Sequence, residues 1–326
     1  MTSVTALYGP AAEDLVLVED TLELVTRADF APLAEMLQHV LQRSGKRLRP
    51  AIALLAGGFG RYDAEKQIPL AASIELLHTA TLVHDDVIDA AATRRGRPTA
   101  NSTYDNAASV MLGDYMFACA AELVARTGHV EVIRIFATTL KTMAQGELNQ
   151  DISAYNPATG NLRDYYQRIF GKTASLFATA GQSGALMAGS PAATVNALHT
   201  YGRNLGMAFQ IVDDILDFTG DAAQLGKPVG GDLLAGTLTL PAILVIEDDP
   251  EGNPVRRLFA ADSLDEQRRA LQEVLERIQR AHVLERSLAV ALQWRDGALQ
   301  ALAALPPNEH RQALEAIAGF VTHRTF

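Results

Sequence analysis

Two segments of this 326-residue chain carry a trio of aspartates in the same arrangement: HTATLVHDDVIDAAATRRGRP has Asp85, Asp86 and Asp89, and GMAFQIVDDILDFTGD has Asp213, Asp214 and Asp217 ahead of its final Asp221. Both spell DDxxD. On an α-helix, residues four apart lie on one face about 6 Å from each other, so Asp85 with Asp89, and Asp213 with Asp217, each present two carboxylates to a common point. Apolar neighbours crowd both trios, Leu82, Val83, Val87 and Ile88 around the first and Ile211, Val212, Ile215 and Leu216 around the second. There, clustered acids repel one another and lose hydration, so cations must compensate. Hard oxygen donors with room for water suit Mg²⁺, which takes one or two carboxylates and completes its shell with substrate phosphate. A solvated acidic face accounts for one such motif alone; it does not account for two of them flanked by Val and Ile.

Basic residues stand where a diphosphate needs them. SGKRLRP puts Lys46, Arg47 and Arg49 at the start of an expected helix, where free backbone N–H groups already favour anions. Arg94 and Arg95 follow the first acidic motif, Lys172 with Thr173 opens the segment KTASLF, and Lys227 lies in a glycine-rich stretch after the second motif.

The elements that must position these groups are helices. Apolar residues recur at helical spacing nearly throughout, and alternating β-branched runs are scarce, which predicts an all-α fold of about ten helical segments. Breaks are expected at GGFGRYD after Ala56, TRRGRPTAN from Thr93, NPATGN from Asn156, GSP from Gly189, TGDAAQLGKPVGG from Thr219, EDDPEGNP from Glu247 and LPPNE from Leu305. Ser263 with Glu266 forms a capping box, followed by a helix whose apolar face is Leu264, Leu271, Val274, Leu275 and Ile278. No repeat or long linker divides the chain, so residues 1–326 are expected to form one helical domain. The loop from Thr219, with four glycines and a lysine, is the connection whose length suggests a working role.

Bulk properties narrow the function further. A net charge of -10 and a pI near 5.3 speak against nucleic-acid binding, which needs a clustered basic stripe. The single cysteine, Cys119, leaves no disulfide framework or thiolate metal site and is expected as buried filler. The first residues lack a secretory pattern, and no apolar stretch is expected to approach the roughly 20 residues of a membrane span; a cytoplasmic protein is the default.

Taken together, GKRLRP, ELLHTATLVHDDVID, RRGRPT, GELNQD, KTASLF, FQIVDDILDF and GKPVGGDL resemble the trans-isoprenyl diphosphate synthases, in order and spacing, over roughly residues 40 to 245. The resemblance implies a single large all-α bundle around a deep central cavity, working as a homodimer. It implies Mg²⁺-dependent head-to-tail condensation of isopentenyl diphosphate with an allylic diphosphate. Asp85, Asp89 and Asp213 are then expected to bind the metal directly, with Asp86, Asp214 and Asp217 in supporting or outer positions. Lys46, Arg49, His78 and Arg95 are expected to hold isopentenyl diphosphate, with Phe209 near its isopentenyl group. Arg94, Lys172, Gln210 and Lys227 are expected to hold the allylic diphosphate, with Thr173 and Gln210 facing the developing carbocation. Two departures stand out. DLLAGTLTLP places Thr237 where the family usually has lysine, which removes one cationic contact to the allylic diphosphate, and Ser44 replaces the commoner glycine before Gly45.

In such a reaction, breaking the allylic C–O bond is the hard step, and metal ions with fixed cations stabilise the charge growing on the leaving diphosphate. The resemblance assigns the final proton to the departing diphosphate, so no protein base is nominated. His84 is expected as a packed neighbour of the first motif. Ala80 and Thr81, a turn before Asp85, are both small, whereas short-chain members commonly block this level with aromatic side chains. A long product, of thirty carbons or more, is therefore expected, and Ala80→Tyr should shorten it; the competing possibility is that Met111, Tyr115 or Phe117 closes the cavity at twenty carbons. Rival readings are a di-iron protein through the ExxH string Glu75 to His78, an HD-type phosphohydrolase through His84-Asp85, a terpene cyclase, and a silent synthase subunit. The first lacks a second ExxH, and the second leaves DDILD and GKRLRP unexplained. Terpene cyclases usually replace the second DDxxD, and silent subunits typically lose the first.

Overall fold

The computed structural model describes residues 7–41, 45–94, 96–219, 229–280 and 282–323, apart from the side chain of Thr159. The principal helices are α1 (Ala12–Val25), α2 (Ala31–Leu41), α3 (Leu48–Gly57), α4 (Ala64–Ile88), α5 (Asn106–Arg126), α6 (Val130–Ile152) and α7 (Leu162–Ile169). They continue with α8 (Ser175–Met187), α9 (Ala192–Thr219), α10 (Leu240–Asp248), α11 (Pro254–Phe259), α12 (Leu264–Arg280), α13 (Val283–Ala303) and α14 (Glu309–Thr322). The all-α expectation holds. Among the described residues the exception is a two-stranded antiparallel pair, β1 (Thr93–Arg94) and β2 (Arg97–Pro98), with Arg94 opposite Arg97. It forms inside a segment read as a plain break, because Gly96 supplies the positive φ of 75° that its tight turn needs.

The breaks fall where turn residues cluster. α3 ends at Gly57, α8 at Met187, α10 at Asp248 and α13 at Ala303, each beside a Gly/Pro/Asn segment, whereas residues 220–228 of the break expected from Thr219 lie outside the described residues. At the start of α12, Glu266 N–H donates to Ser263 Oγ at 3.3 Å, while the Glu266 carboxylate accepts from the Asp262 amide at 3.2 Å, one residue before the cap. The buried face of α12 is Ala270, Val274 and Ile278, with Leu271 and Leu275 at its margin. Leu264 departs from expectation: it is 71 % exposed, since it occupies the first helical position and overhangs the packed turns.

The chain comprises two compact units: Met1–Leu140 with Leu176–Gly202 and Leu299–Ala318, and Lys141–Ser175 with Arg203–Ala298 and Gly319–Phe326. In the first, α4 is the central element and packs against α5, α3 and α1. Its residues from Leu70 to Leu77 are buried on all sides, as an apolar core helix must be. In the second, Met207, Ile211, Val212, Ile215 and Phe218 of α9 join Tyr165, Ile169 and the apolar α10 in one core.

Contrary to expectation, one described helix, α5, is long and apolar enough to cross a membrane by length and composition. Its composition has a local explanation: Leu112, Met116, Ala120 and Val124 face the core beside α4, while Val110, Met111 and Tyr115 are exposed on the other side.

Candidate active site

Both acidic motifs sit at the C-terminal ends of long helices, where unpaired carbonyls and the helix dipole already make the potential negative. Carboxylates are disfavoured there unless a cation joins them. α4 stops within the first motif. Asp89 closes the helix, Ala90 takes the left-handed conformation (φ 49°), and the amides of Ala90 and Ala91 return to the carbonyls of Val87 and Asp86 at 3.2 and 2.9 Å. Non-glycine residues pay for this geometry with strain of about 1–2 kcal/mol, which is typical of functional turns.

The turn sorts the first trio. Asp86 is turned inward, 6 % exposed, whereas Asp85 is half-buried and Asp89 open. Arg94, delivered by β1, donates from Nε to Asp86 Oδ1 at 2.7 Å. Burial pushes Asp86 above the ordinary carboxylate range, against the pull of Arg94. His84, next in line, bonds the Val110 carbonyl through Nε2 at 2.9 Å, stacks edge-on against Phe117 and fills the space over Gly113, where a Cβ would collide with its ring. It is therefore a packed neighbour, with Nε2 engaged by the Val110 carbonyl and Asp114 Oδ1 3.7 Å away. The ExxH reading fails, because Glu75 is ion-paired with Arg47 at 2.6 Å.

The second trio is sorted in the same sense: Asp214 and Asp217 are each 2 % exposed and Asp213 is half-buried. Tyr165, fully buried on α7, donates its phenol O–H to Asp214 Oδ2 at 2.6 Å, and Gln210 Nε2 donates to Oδ1 at 2.9 Å. Burial pushes Asp214 up to about 7, while the two hydrogen bonds pull the other way. The Arg168 guanidinium lies over the Tyr165 ring, 5.6 Å from its centroid, and donates to the Leu238 carbonyl. Asp217 accepts from the Asp232 amide at 3.2 Å, and its carbonyl from the Gly230 amide at 2.9 Å, which ties residues 230–232 to this helix end. Thr237 follows, with its amide bonded to the Asp232 carbonyl at 2.9 Å.

Lys172 and Thr173 lie in a single turn of π-helix, Phe170–Ala174, between α7 and α8. Such turns recur at functional sites because the extra residue re-aims the side chains. Gly171 allows this one: a Cβ there would lie 3.1 Å from the Cα of Gly146 on α6. The close approach brings Lys172 Nζ within 2.9 Å of Glu147. Thr173 donates to Gln210 Oε1 at 2.7 Å, so Thr173, Gln210, Asp214 and Tyr165 form one hydrogen-bonded chain. Since its proton is committed to Gln210, Thr173 Oγ keeps lone pairs for a positive partner. Phe209, beside Gln210, is half-buried.

Lys46 is exposed ahead of α3, and Arg49, in its first turn, stacks on Phe177 at 4.4 Å. His78 is half-buried on α4, seven residues before Asp85. Arg47 turns away from this group and enters the protein. Arg95, Lys227 and the Ser44 substitution lie outside the described residues. Sequence reasoning missed Tyr165, Arg168 and Glu147. Only Glu147 had a signal, as part of GELNQD; Tyr165 and Arg168 look like ordinary members of an amphipathic helix.

Among the described residues no three His, Cys, Asp or Glu side chains converge closely enough to hold a metal by themselves. The donor set nonetheless fits a divalent oxygen-loving ion, because each helix end has at least one carboxylate that is not buried, Asp85 and Asp89 at the first and Asp213 at the second, and phosphate oxygens can complete the shell. Cys119, expected as buried filler, is only half-buried, and burial raises its thiol pKa.

Comparison with known proteins agrees with this geometry. The Polyprenyl synthetase family pattern matches residues 31–278. The chain is 41% identical over 321 residues to heptaprenyl diphosphate synthase component 2 of Geobacillus stearothermophilus, covering 98% of this chain and 99% of that one. A crystal structure of a decaprenyl diphosphate synthase from Rhodobacter capsulatus superposes with a TM-score of 0.89 at 39% identity, covering 96% and 97% of the two chains. A polyprenyl synthase from Caulobacter crescentus, crystallised with calcium and isoprenyl diphosphate, gives 0.90 at 35% identity and covers 99% and 98%. Near-complete coverage at these identities, spanning both acidic motifs, means that the chain belongs to the polyprenyl synthetase family: it is a prenyltransferase, of the long-chain polyprenyl diphosphate synthase type, in a family that works with a divalent metal.

Proposed function

We propose that the chain condenses isopentenyl diphosphate head-to-tail with an allylic diphosphate in a Mg²⁺-dependent reaction, giving products of thirty carbons or more. The observation that carries this reading is the sorting of both trios. Asp86, Asp214 and Asp217 are buried and held by hydrogen bonds, while Asp85, Asp89 and Asp213 keep accessible carboxylates at negative helix ends. The accessible three are the direct Mg²⁺ ligands, and the buried three orient them. When bound, the metal supplies positive charge against the diphosphate as its C–O bond breaks.

The chain's own residues do the rest. Lys172 exchanges its carboxylate partner Glu147 for oxygens of the allylic diphosphate, joined by Lys227, while Arg94 keeps Asp86 through Nε and offers its terminal N–H donors to the same diphosphate. Thr173 and Gln210 turn oxygen dipoles toward the allylic carbocation. Lys46, Arg49, His78 and Arg95 fix isopentenyl diphosphate, and Phe209 covers its hydrocarbon, so that its double bond attacks in line. The departing diphosphate removes the proton. Residues 1–326 act as one synthase domain, a reading supported by a family match that runs through both compact units.

The working form is a homodimer in the cytoplasm. Support for the dimer comes from the apolar patch of Val110, Met111 and Tyr115 on α5, of which Met111 is 67 % exposed. A two-component arrangement has its own support in the name of the Geobacillus relative, called component 2. Purified chain incubated alone with labelled isopentenyl diphosphate, farnesyl diphosphate and Mg²⁺, followed by mass spectrometry of the dephosphorylated products, tests the whole proposal. Long-chain, metal-dependent product from the chain alone is expected. Activity that appears only with a second subunit would replace the homodimer, and no condensation under either condition would refute the function.

A further inference from the structure

Arg47 stands between Lys46 and Arg49, yet its side chain serves a different purpose. Its backbone is left-handed (φ 47°, ψ 35°), a conformation L residues rarely adopt, and it follows Gly45 at φ 117°. Its carbonyl accepts the Ala51 amide at 3.1 Å, which makes it the first bonded position of α3. The guanidinium is 12 % exposed and forks onto Glu19 of α1 through Nε and Nη2, the latter at 3.1 Å. Its Nη1 reaches Glu75 of α4 at 2.6 Å. Burial opposes the charge, and the two carboxylates more than offset that, leaving Arg47 above its ordinary pKa.

Two consequences follow from the connectivity. A left-handed residue between two cations decides which way each one leaves the backbone, and the buried fork is what holds that residue left-handed. Glu75 is also one helical turn before His78 on α4, so the Arg47–Glu75 contact sets the start of α3 in register with His78. We propose that Arg47 is a positioning residue: its clasp on Glu19 and Glu75 aligns Lys46, Arg49 and His78 for isopentenyl diphosphate and leaves the allylic site untouched. The inference rests on the assignment of those three residues to isopentenyl diphosphate in the preceding section. A clasp needed only for folding would loosen both substrate sites together.

The test is steady-state kinetics with each substrate varied in turn, on Arg47→Lys, Glu19→Gln and Arg49→Ala, after circular dichroism shows wild-type helicity. Lysine keeps the charge but lacks the planar fork that grips Glu19 with two donors while a third reaches Glu75, and Glu19→Gln weakens the clasp without touching residue 47. Arg47→Lys is expected to raise KM for isopentenyl diphosphate about tenfold, and Glu19→Gln by a smaller factor, with the allylic KM and kcat within about twofold. An unchanged isopentenyl KM in the folded variants overturns the proposal, and so does an equal rise for both substrates. If Arg47→Lys does not fold, Glu19→Gln decides by the same criteria. Arg49→Ala separates the levels. If it raises the isopentenyl KM while the clasp variants do not, this inference alone fails; if it has no effect, the site assignment fails and takes the inference with it.

Discussion

Tyr165→Phe isolates the hydrogen bond that holds the second acidic motif. The phenol is fully buried and donates to Asp214 Oδ2 at 2.6 Å, and Asp214 is 2 % exposed, so no bulk water replaces the lost donor. A hydrogen bond to an ionised group contributes about 1.5–3 kcal/mol and one between neutral groups about 0.5–1.5 kcal/mol. The loss should therefore depend on the charge of Asp214. Its folded pKa, pushed by burial to about 7, lies above the ordinary 3.8. A carboxyl raised in this way contributes its stability in full below the unfolded value and loses it as pH rises through the folded one. Removing Tyr165 takes away an interaction that favours the ionised form, so the folded pKa rises further and the variant falls progressively behind wild type above pH 7. We expect a loss of about 1 kcal/mol at pH 5 and about 2 kcal/mol at pH 9, a difference equal to about 0.7 pKa unit. The phenol itself stays protonated throughout, since burial and the Asp214 charge raise its pKa well above 10.0. Urea unfolding of both proteins at the two pH values, with chelator present to exclude metal, measures the difference. Equal losses at pH 5 and pH 9, or none, would refute the electrostatic account. In the metal-loaded enzyme the same substitution loosens Asp214, which orients the ligand Asp213, and should raise the Mg²⁺ concentration for half-maximal activity by up to about 10-fold, the low end of the effect of losing a ligand's own partner.

Asp85→Ala and Asp213→Ala should each lower turnover by several orders of magnitude with helicity retained, and near-normal turnover by either would dismiss its metal role. For product length, Ala80 is 0 % exposed, so tyrosine there overpacks the core at a cost of about 1–3 kcal/mol, whereas the half-buried Thr81 has room. Thr81→Tyr should shorten the main product while condensation continues, as read by mass spectrometry; an unchanged distribution would place the growing chain elsewhere. Thr237→Lys restores the cation that the family usually carries and should lower the allylic KM by about tenfold if the position faces the diphosphate; an unchanged value would show that it points away.

The chemistry was legible because it is written in contiguous residues. Two DDxxD strings at helical spacing, each followed or accompanied by cations, specify carboxylate pairs whatever the surrounding fold, and the Gly/Pro/Asn clusters mark where the helices end. Met111 and Tyr115, named from sequence as possible cavity plugs, proved to lie on the exposed face of α5. Their periodicity was readable, but the side on which the core lay was not. Only the tertiary structure decided which members of each trio are buried. That sorting depends on partners that helical spacing does not specify: Tyr165, 49 residues away, for Asp214, and Arg94, brought onto Asp86 by the left-handed turn at Ala90. The same holds for Arg47, which in sequence is one cation among three, and in the fold is drawn between Glu19 and Glu75, each 28 residues away along the chain. Local sequence determines what a side chain can do; which of its possible partners it meets is set by helix packing, a property of the whole core and of no single motif.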